Sequence, residues 1–258
     1  MVTTTGVGVI DLNADLGESF GAWRIGDDEA MLAIVTSASI ACGFHAGDPL
    51  TIRRACAGAV ANRVSIGAQV AYRDLAGFGR RDMDVPAEEL TAEVLYQIAA
   101  LDGIARAEGG KVSYVKPHGA LYHRIVTDPA QAAALADAIS AYDPGLPLLT
   151  LAGGEAARGA AAAGLTVVAE GFADRAYRAD GTLVPRSQPG AVITDPAQAA
   201  VRAAAMAAGH VLDAATGQGL PVTIRSLCIH GDTPGAVTLA RAVRDTLERA
   251  GVLVAPFA

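Results

Sequence analysis

Four apolar runs in this sequence each end in side chains that can move a proton or hold a charge. The runs read VGVIDLNADLGES, ASIACGFHAGD, SYVKPHGALYH and RSLCIHGDTPG. They deliver Asp11, Asn13 and Asp15, then His45 and Asp48, then Lys116 and His118, and finally His230 and Asp232. Asp11, Asn13 and Asp15 alternate, so an extended backbone aims all three at one face; Glu18 follows after Gly17. Apposed carboxylates raise one another's pKa, which suits general acid–base work or metal binding. Lys116 is one of only two lysines. An ammonium in an apolar throat is either paired with a carboxylate or depressed in pKa. The glycines of CGFHAGDP let backbone approach a ligand closely, while Pro117 and Gly119 shape the turn around His118. His123 and His210 fall outside the pattern and read as structural or exposed, His210 within an alanine-rich helix.

Two long polar excursions contribute arginine. Arg80 and Arg81 follow GFG, Arg175 and Arg178 flank Tyr177 in FADRAYRADG, and Arg186 sits in LVPRSQ. An arginine on such a loop can clamp a carboxylate or a phosphate bidentately. There is no Gly-x-x-x-x-Gly-Lys-Ser/Thr phosphate loop, and no Gly-x-Gly-x-x-Gly opens a helix after a strand. Nucleotide use therefore needs another device or a partner chain.

These residues can meet only if the scaffold gathers strand ends. In parallel sheets wrapped by helices, functional side chains collect at the carboxyl ends of the strands. Strands are expected at about 7–12, 37–42, 64–70, 111–115, 146–151, 165–170 and 222–229, with a short eighth at 252–255. Helices are expected at about 27–35, 49–62, 87–108, 129–141, 196–215 and 234–249, with an alanine-rich one between strands five and six. Asp48, before a proline, is the expected N-cap of its helix, and the helix at 129–141 follows Asp128 and Pro129. Strand and helix alternate without a composition break, which predicts one α/β domain over 1–258. Seven or eight units favour a closed or nearly closed barrel over an open sheet.

The 258 residues are 52% hydrophobic but only 5% aromatic, so the core is built from Ala, Val, Leu and Ile. A net charge of −7 with two lysines leaves no basic face for nucleic acid. No apolar stretch approaches the roughly 20 residues that span a bilayer. MVTTTGVGVIDLN lacks the basic head and apolar segment of a signal peptide, so a cytoplasmic location is expected. Cys42, Cys56 and Cys228 are odd in number without CxxC spacing, and read as small buried hydrophobes rather than disulfides or a structural zinc site.

The strings DLNADLGESFG, IACGFHAGDP, GFGRRDM, VKPHGALY, FADRAY, LVPR and IHGDTP resemble the LamB/YcsF family, from about residue 9 to 250 and in the family's order. The resemblance implies a single-domain irregular (β/α) barrel of seven or eight mainly parallel strands, of glycoside hydrolase or deacetylase type. It also implies the A component of a prokaryotic 5-oxoprolinase, working with separate B and C subunits in the ATP-dependent opening of 5-oxoproline to glutamate. ATP, with Mg2+, would be a co-substrate, and a homo-oligomer is allowed. One departure is that AQVAYRDL stands where an AHPxYPDL-like string is expected, placing Gln69 and Val70 at the His-Pro pair. An amide cannot titrate near neutrality, so Gln69 cannot take over a proton-carrying role. Ala14 also stands where a cysteine is usual.

Residues and resemblance together give a working assignment. Asp11 or Asp15, helped by His45, would be the general base for an attacking water, and Lys116 and His118 would stabilise the oxyanion. Asn13, Glu18, Gln69, Tyr72, Arg81, Arg175, His230 and Asp232 would bind substrate, with an excursion arginine on its carboxylate. One rival is a metal-dependent amide hydrolase or deacetylase with Asp15, His45 and His118 as ligands. Another is a carrier that binds substrate without transforming it.

Overall fold

The computed structural model describes residues 8–212, 219–221 and 223–258. The first half comprises β1 (Val9–Leu16), α1 (Asp28–Leu32), β2 (Ser37–Ala41), α2 (Pro49–Asn62), β3 (Ser65–Val70), α3 (Ala87–Ala107), β4 (Val112–Pro117) and α4 (Gly119–Arg124). The second half adds α5 (Pro129–Tyr142), β5 (Leu148–Leu151), α6 (Glu155–Ala162), β6 (Val167–Phe172), α7 (Pro196–Ala207), β7 (His210–Leu212), β8 (Gly219–Pro221), β9 (Ser226–His230), α8 (Ala236–Arg249) and β10 (Leu253–Val254). Strands β1 through β5 each pair in parallel with the next, β6 pairs with β9, and β9 returns to β1. The result is a closed seven-stranded parallel barrel with helices outside.

Three helices start for a reason visible in the sequence. Asp48, Asp128 and Asp195 each precede a proline at the first turn, and each side chain accepts backbone N–H groups of that turn. Period-two alternation then divides each strand between two environments. Leu12, Ala14 and Leu16 of β1 are buried in the main apolar core, while Asp11, Asn13 and Asp15 bond to side chains of other barrel strands across the interior. At the floor, Tyr114, Leu149 and Val168 form a small apolar layer sealed by Phe257, whose ring lies 5.0 Å from that of Tyr114. Ser65 Oγ donates to the Ala258 carbonyl at 2.6 Å, tying the chain end to this layer.

Gly67 makes the floor possible, because a Cβ there would collide with the Tyr114 ring. Gly67→Ala is expected to destabilise the protein by about 1–3 kcal/mol through overpacking, read as a lowered urea midpoint at unchanged m. An unshifted midpoint would mean that the Tyr114 ring yields freely.

Several expected boundaries move. β1 runs to Leu16 instead of ending near residue 12, because each inward polar side chain finds a partner inside the barrel. The helix expected to reach Ala215 stops at Ala207, where Gly209 adopts φ +91°. His210 accordingly opens β7, which pairs antiparallel with β8, and is not helical. Residues 213–215 of that expected helix, residue 7 of the first expected strand and Val222 of the seventh lie outside the described residues. The eighth strand exists as β10 but lies along the entry of β1, Val9 opposite Leu253, and does not enter the seven-strand ring. The short α4 after His118 was not expected.

Candidate functional site

A polar column rises through the barrel. Asp11 sits lowest, its carboxylate accepting from Thr36 Oγ1 at 2.7 Å, Ser37 Oγ at 2.6 Å and Ser226 Oγ. Burial pushes Asp11 up to about 6 despite those three hydroxyls. One layer higher, Asn13 Nδ2 donates to Ser226 Oγ (2.7 Å) and to Glu170 Oε1 (3.0 Å). Above it, the Lys116 ammonium reaches Asn13 Oδ1 at 3.0 Å, Asp15 Oδ1 at 2.9 Å, Glu170 Oε1 at 2.8 Å and Cys228 Sγ at 3.1 Å. Asn13 therefore supports Lys116 from below and is not among the residues lining the cavity described next. Tyr122 OH donates to the other Glu170 oxygen at 2.9 Å.

Lys116 is only 2% exposed. Burial works against its charge, yet Asp15, Cys228 and Glu170 hold the ammonium well above the ordinary lysine value. Burial would likewise raise Asp15, but Lys116 and the two nearby histidines outweigh it and hold the carboxyl well below its usual range. Lys116 is therefore a permanent cation and Asp15 a permanent anion near neutrality. Neither exchanges a proton near neutrality.

An imidazole stands opposite. His230, at the end of β9, directs Nδ1 to Asp174 Oδ2 at 2.8 Å, and its backbone N–H donates to the same carboxylate at 3.0 Å. The His230 ring stacks on Phe172 with centroids 5.5 Å apart. Burial opposes the Asp174 charge, but His230 holds that carboxyl below its usual value. With Nδ1 engaged, Nε2 is the nitrogen that His230 offers to the cavity.

That cavity has a volume of about 250 Å³, room for a ligand of amino-acid size. Asp15, Lys116, His118, Phe172 and His230 line its inner part, while Arg80, Arg175, Leu183, Pro185 and Arg186 come from the two excursions.

The remaining expected site residues divide. His118 reaches the cavity, but both ring nitrogens are engaged, Nε2 donating to the Phe78 carbonyl (3.0 Å) and Nδ1 accepting from Gln69 Nε2 (3.0 Å). His45 lies behind it, fully buried, its ring stacked on that of His118 at 4.0 Å and 15°. Burial, with the neighbouring His118, pushes His45 down to about 4, so it stays neutral. Glu18 is also buried, facing His45 Nε2 at 3.4 Å and Gln69 Nε2 at 3.0 Å. Gln69 thus holds His118 and Glu18 in place and does not touch the cavity.

Four more of the expected site residues do not line the cavity either. Asp11 lies a layer below the mouth in a cage of hydroxyls and is not part of the cavity wall. The Tyr72 hydroxyl donates to Gln131 of α5, in the helix layer outside the barrel. Arg81 folds back onto Asp74 of its own loop, leaving Arg80 to face the cavity. Asp232 pairs with Arg80 at 2.6 Å and is no wall of the cavity. Asp48 is an N-cap.

The expected metal trio is also divided. Metal-type donors converge within 4.8 Å as Asp15 with Cys228 and His230, and as Glu18 with His45 and His118. In the first group the Lys116 ammonium already occupies the space beside the carboxylate and the sulfur. In the second the imidazoles are stacked, so their in-plane lone pairs run side by side instead of meeting at one tetrahedral centre. Neither set suits a divalent ion as it stands.

The sequence profile of the LamB/YcsF family matches residues 10–258. The chain belongs to the LamB/YcsF family. Among relatives, the 5-oxoprolinase A subunit of Mycobacterium avium (strain 104) is 60% identical over 248 residues, 96% of this chain and 98% of that one. The 5-oxoprolinase A subunit of Streptomyces avermitilis is 60% identical over 250 residues, covering 97% and 100%. The crystal structure of the lactam utilization protein from Thermus thermophilus superposes with a TM-score of 0.91 at 48% identity, over 96% of this chain and 100% of that one. Within this LamB/YcsF barrel, sequence reasoning missed Glu170, Asp174 and the Cys228 contact with Lys116. Glu170 and Asp174 were open to discovery, since VVAEGFAD places two acids at the end of the sixth strand just as ADLGE does at the first. No helix of the described residues is long and apolar enough to cross a membrane.

Proposed function

We propose that this chain is the A subunit of an ATP-dependent 5-oxoprolinase, opening the five-membered lactam of 5-oxoproline to glutamate together with B and C partner subunits. The reading is supported by one juxtaposition above all. A buried Lys116 cation held by carboxylates faces an Asp174-oriented His230 across a cavity of amino-acid size, in a chain 60% identical to proteins named for that activity.

A lactam carbonyl is a poor electrophile, and phosphorylation of its oxygen by ATP supplies a leaving group. Water then attacks the activated carbon. His230 Nε2 takes a proton of that water and passes it to the ring nitrogen; collapse of the adduct breaks the C–N bond and leaves the new γ-carboxyl as an acyl phosphate, from which a second water releases inorganic phosphate to give glutamate. Lys116 sets a positive potential where negative charge grows on the oxygens of the tetrahedral adduct. Asp15 and Glu170 fix the Lys116 position, and Phe172 with Leu183 supplies an apolar wall. The sequence has no phosphate loop, so ATP handling needs another device and is shared with the partner subunits in this reading.

The test combines this chain with its B and C partners, ATP, Mg2+ and 5-oxoproline, reading glutamate and ADP. Formation of both, dependent on this chain, is the expected result. ADP formation without glutamate, unaffected by adding the chain, would reduce it to a carrier and sink the reading.

A further inference from the structure

We infer that Arg186 reads the substrate's carboxylate, so that the cavity selects a lactam carrying a carboxylate beside its ring nitrogen over the bare lactam ring. This rests on the proposed ring-opening activity and adds to it the residue that sets specificity. Three arginines line the cavity, and two of them are committed to the protein. Arg175 is buried, and its guanidinium donates to the carbonyls of Ala191 (3.3 Å) and Val184 (2.7 Å), pinning the excursion between β6 and α7. Arg80 donates to Asp232 at 2.6 Å and lies over the Phe78 ring at 4.9 Å.

Arg186 differs from both. Among the described residues its guanidinium makes no hydrogen bond and no ion pair, although it lines the same cavity. It is half-buried, and its charge acts on Asp174, Asp232, Arg175 and His123, groups set around the mouth. A guanidinium surrounded in this way faces inward with its planar fork unused. That fork matches a carboxylate in two parallel hydrogen bonds.

The charge distribution orients the ligand. At the inner end, Lys116 stands against Asp15 and Glu170, one cation against two anions. The Lys116 charge is already paired at that end, so an anionic substituent is drawn instead to Arg186, which makes no ion pair among the described residues. The lactam carbonyl, the neutral end of the molecule, is then the part presented to Lys116 and His230. Leu183 and Pro185, close to Arg186 in the chain, cover the ring methylenes between the two ends.

Calorimetric binding of L-5-oxoproline and of 2-pyrrolidinone to the full chain tests the assignment. The wild type is expected to prefer 5-oxoproline. Arg186→Ala is expected to weaken 5-oxoproline about 10- to 100-fold, the value of a charged hydrogen-bond pair, and to leave 2-pyrrolidinone unchanged. Arg186→Lys should recover only part of the loss, since an ammonium lacks the fork. Arg178→Ala, exposed on the same excursion, should behave as wild type. Undiminished 5-oxoproline binding in Arg186→Ala, or equal losses for both ligands, would overturn the assignment while leaving the activity standing. Binding of inorganic phosphate that requires Arg186, with 5-oxoproline binding independent of it, would make this a phosphoryl site and also overturn it. A wild type that binds neither lactam and forms no glutamate with its partners would remove the proposed function as well.

Discussion

Lys116→Met is expected to destabilise the protein by about 3–5 kcal/mol, the typical result of removing one member of a buried ion-pair network. The substitution removes the cation that separates Asp15 from Glu170 and leaves two buried carboxylates facing each other. The side-chain length is nearly preserved, so little of the loss comes from packing. The pH dependence separates this electrostatic cause from a cavity effect. In the wild type Asp15 is held well below its usual value, so its stabilising contribution is present above the unfolded pKa and is lost as pH falls. In Lys116→Met burial acts on Asp15 without the ammonium and raises its carboxyl, so the variant gains stability as pH falls through that raised value. The wild-type contribution is intact at pH 5, so between pH 8 and pH 5 the variant's gain alone narrows the gap between the proteins. Urea unfolding at pH 8 and at pH 5 reads this directly. A gap of constant size would show that Lys116 is held for its shape and not for its charge. Turnover should be lost at either pH.

Much of this arrangement was legible in the sequence because the barrel interior is polar. The alternation D-L-N-A-D-L in β1 writes both faces at once, apolar toward the helices and polar toward the lumen. The convergence of Asp15, Lys116, His118 and His230 therefore followed from strand ends alone. Depth within the lumen was not legible. Asp11 and Asp15 share a face but lie in different layers, and only the hydroxyls of Thr36, Ser37 and Ser226, supplied by other segments, reveal that Asp11 is enclosed. Arginine choice was equally hidden. Arg80 and Arg81 are neighbours in sequence, and their division between cavity and loop depends on where Asp74 and Asp232 lie in space. The alanine-rich run has high helix propensity as far as Ala215, yet α7 ends at Ala207 because Gly209 adopts φ +91°.

The assignment of the proton carrier to His230 in place of Asp15 has the larger kinetic consequence. A base must accept a proton near the working pH, and Asp15, beside Lys116, is held where it hardly can. His230→Gln keeps a planar polar side chain of similar size but cannot titrate. It is expected to lower kcat by about 10²- to 10⁴-fold, with little change in KM or melting temperature, because the ring's one strong bond is to Asp174 at the edge of the cavity. Asp174→Asn probes the same device from behind. An amide facing Nδ1 can donate to it, which favours the tautomer with Nε2 protonated and so removes the base. Its kcat should fall comparably, and the double variant should lose little beyond either single one, as for residues acting as a unit. Multiplying losses in the double variant would separate the two residues. Retention of kcat in His230→Gln would return the base to Asp15 and require the Lys116 pair to open during turnover.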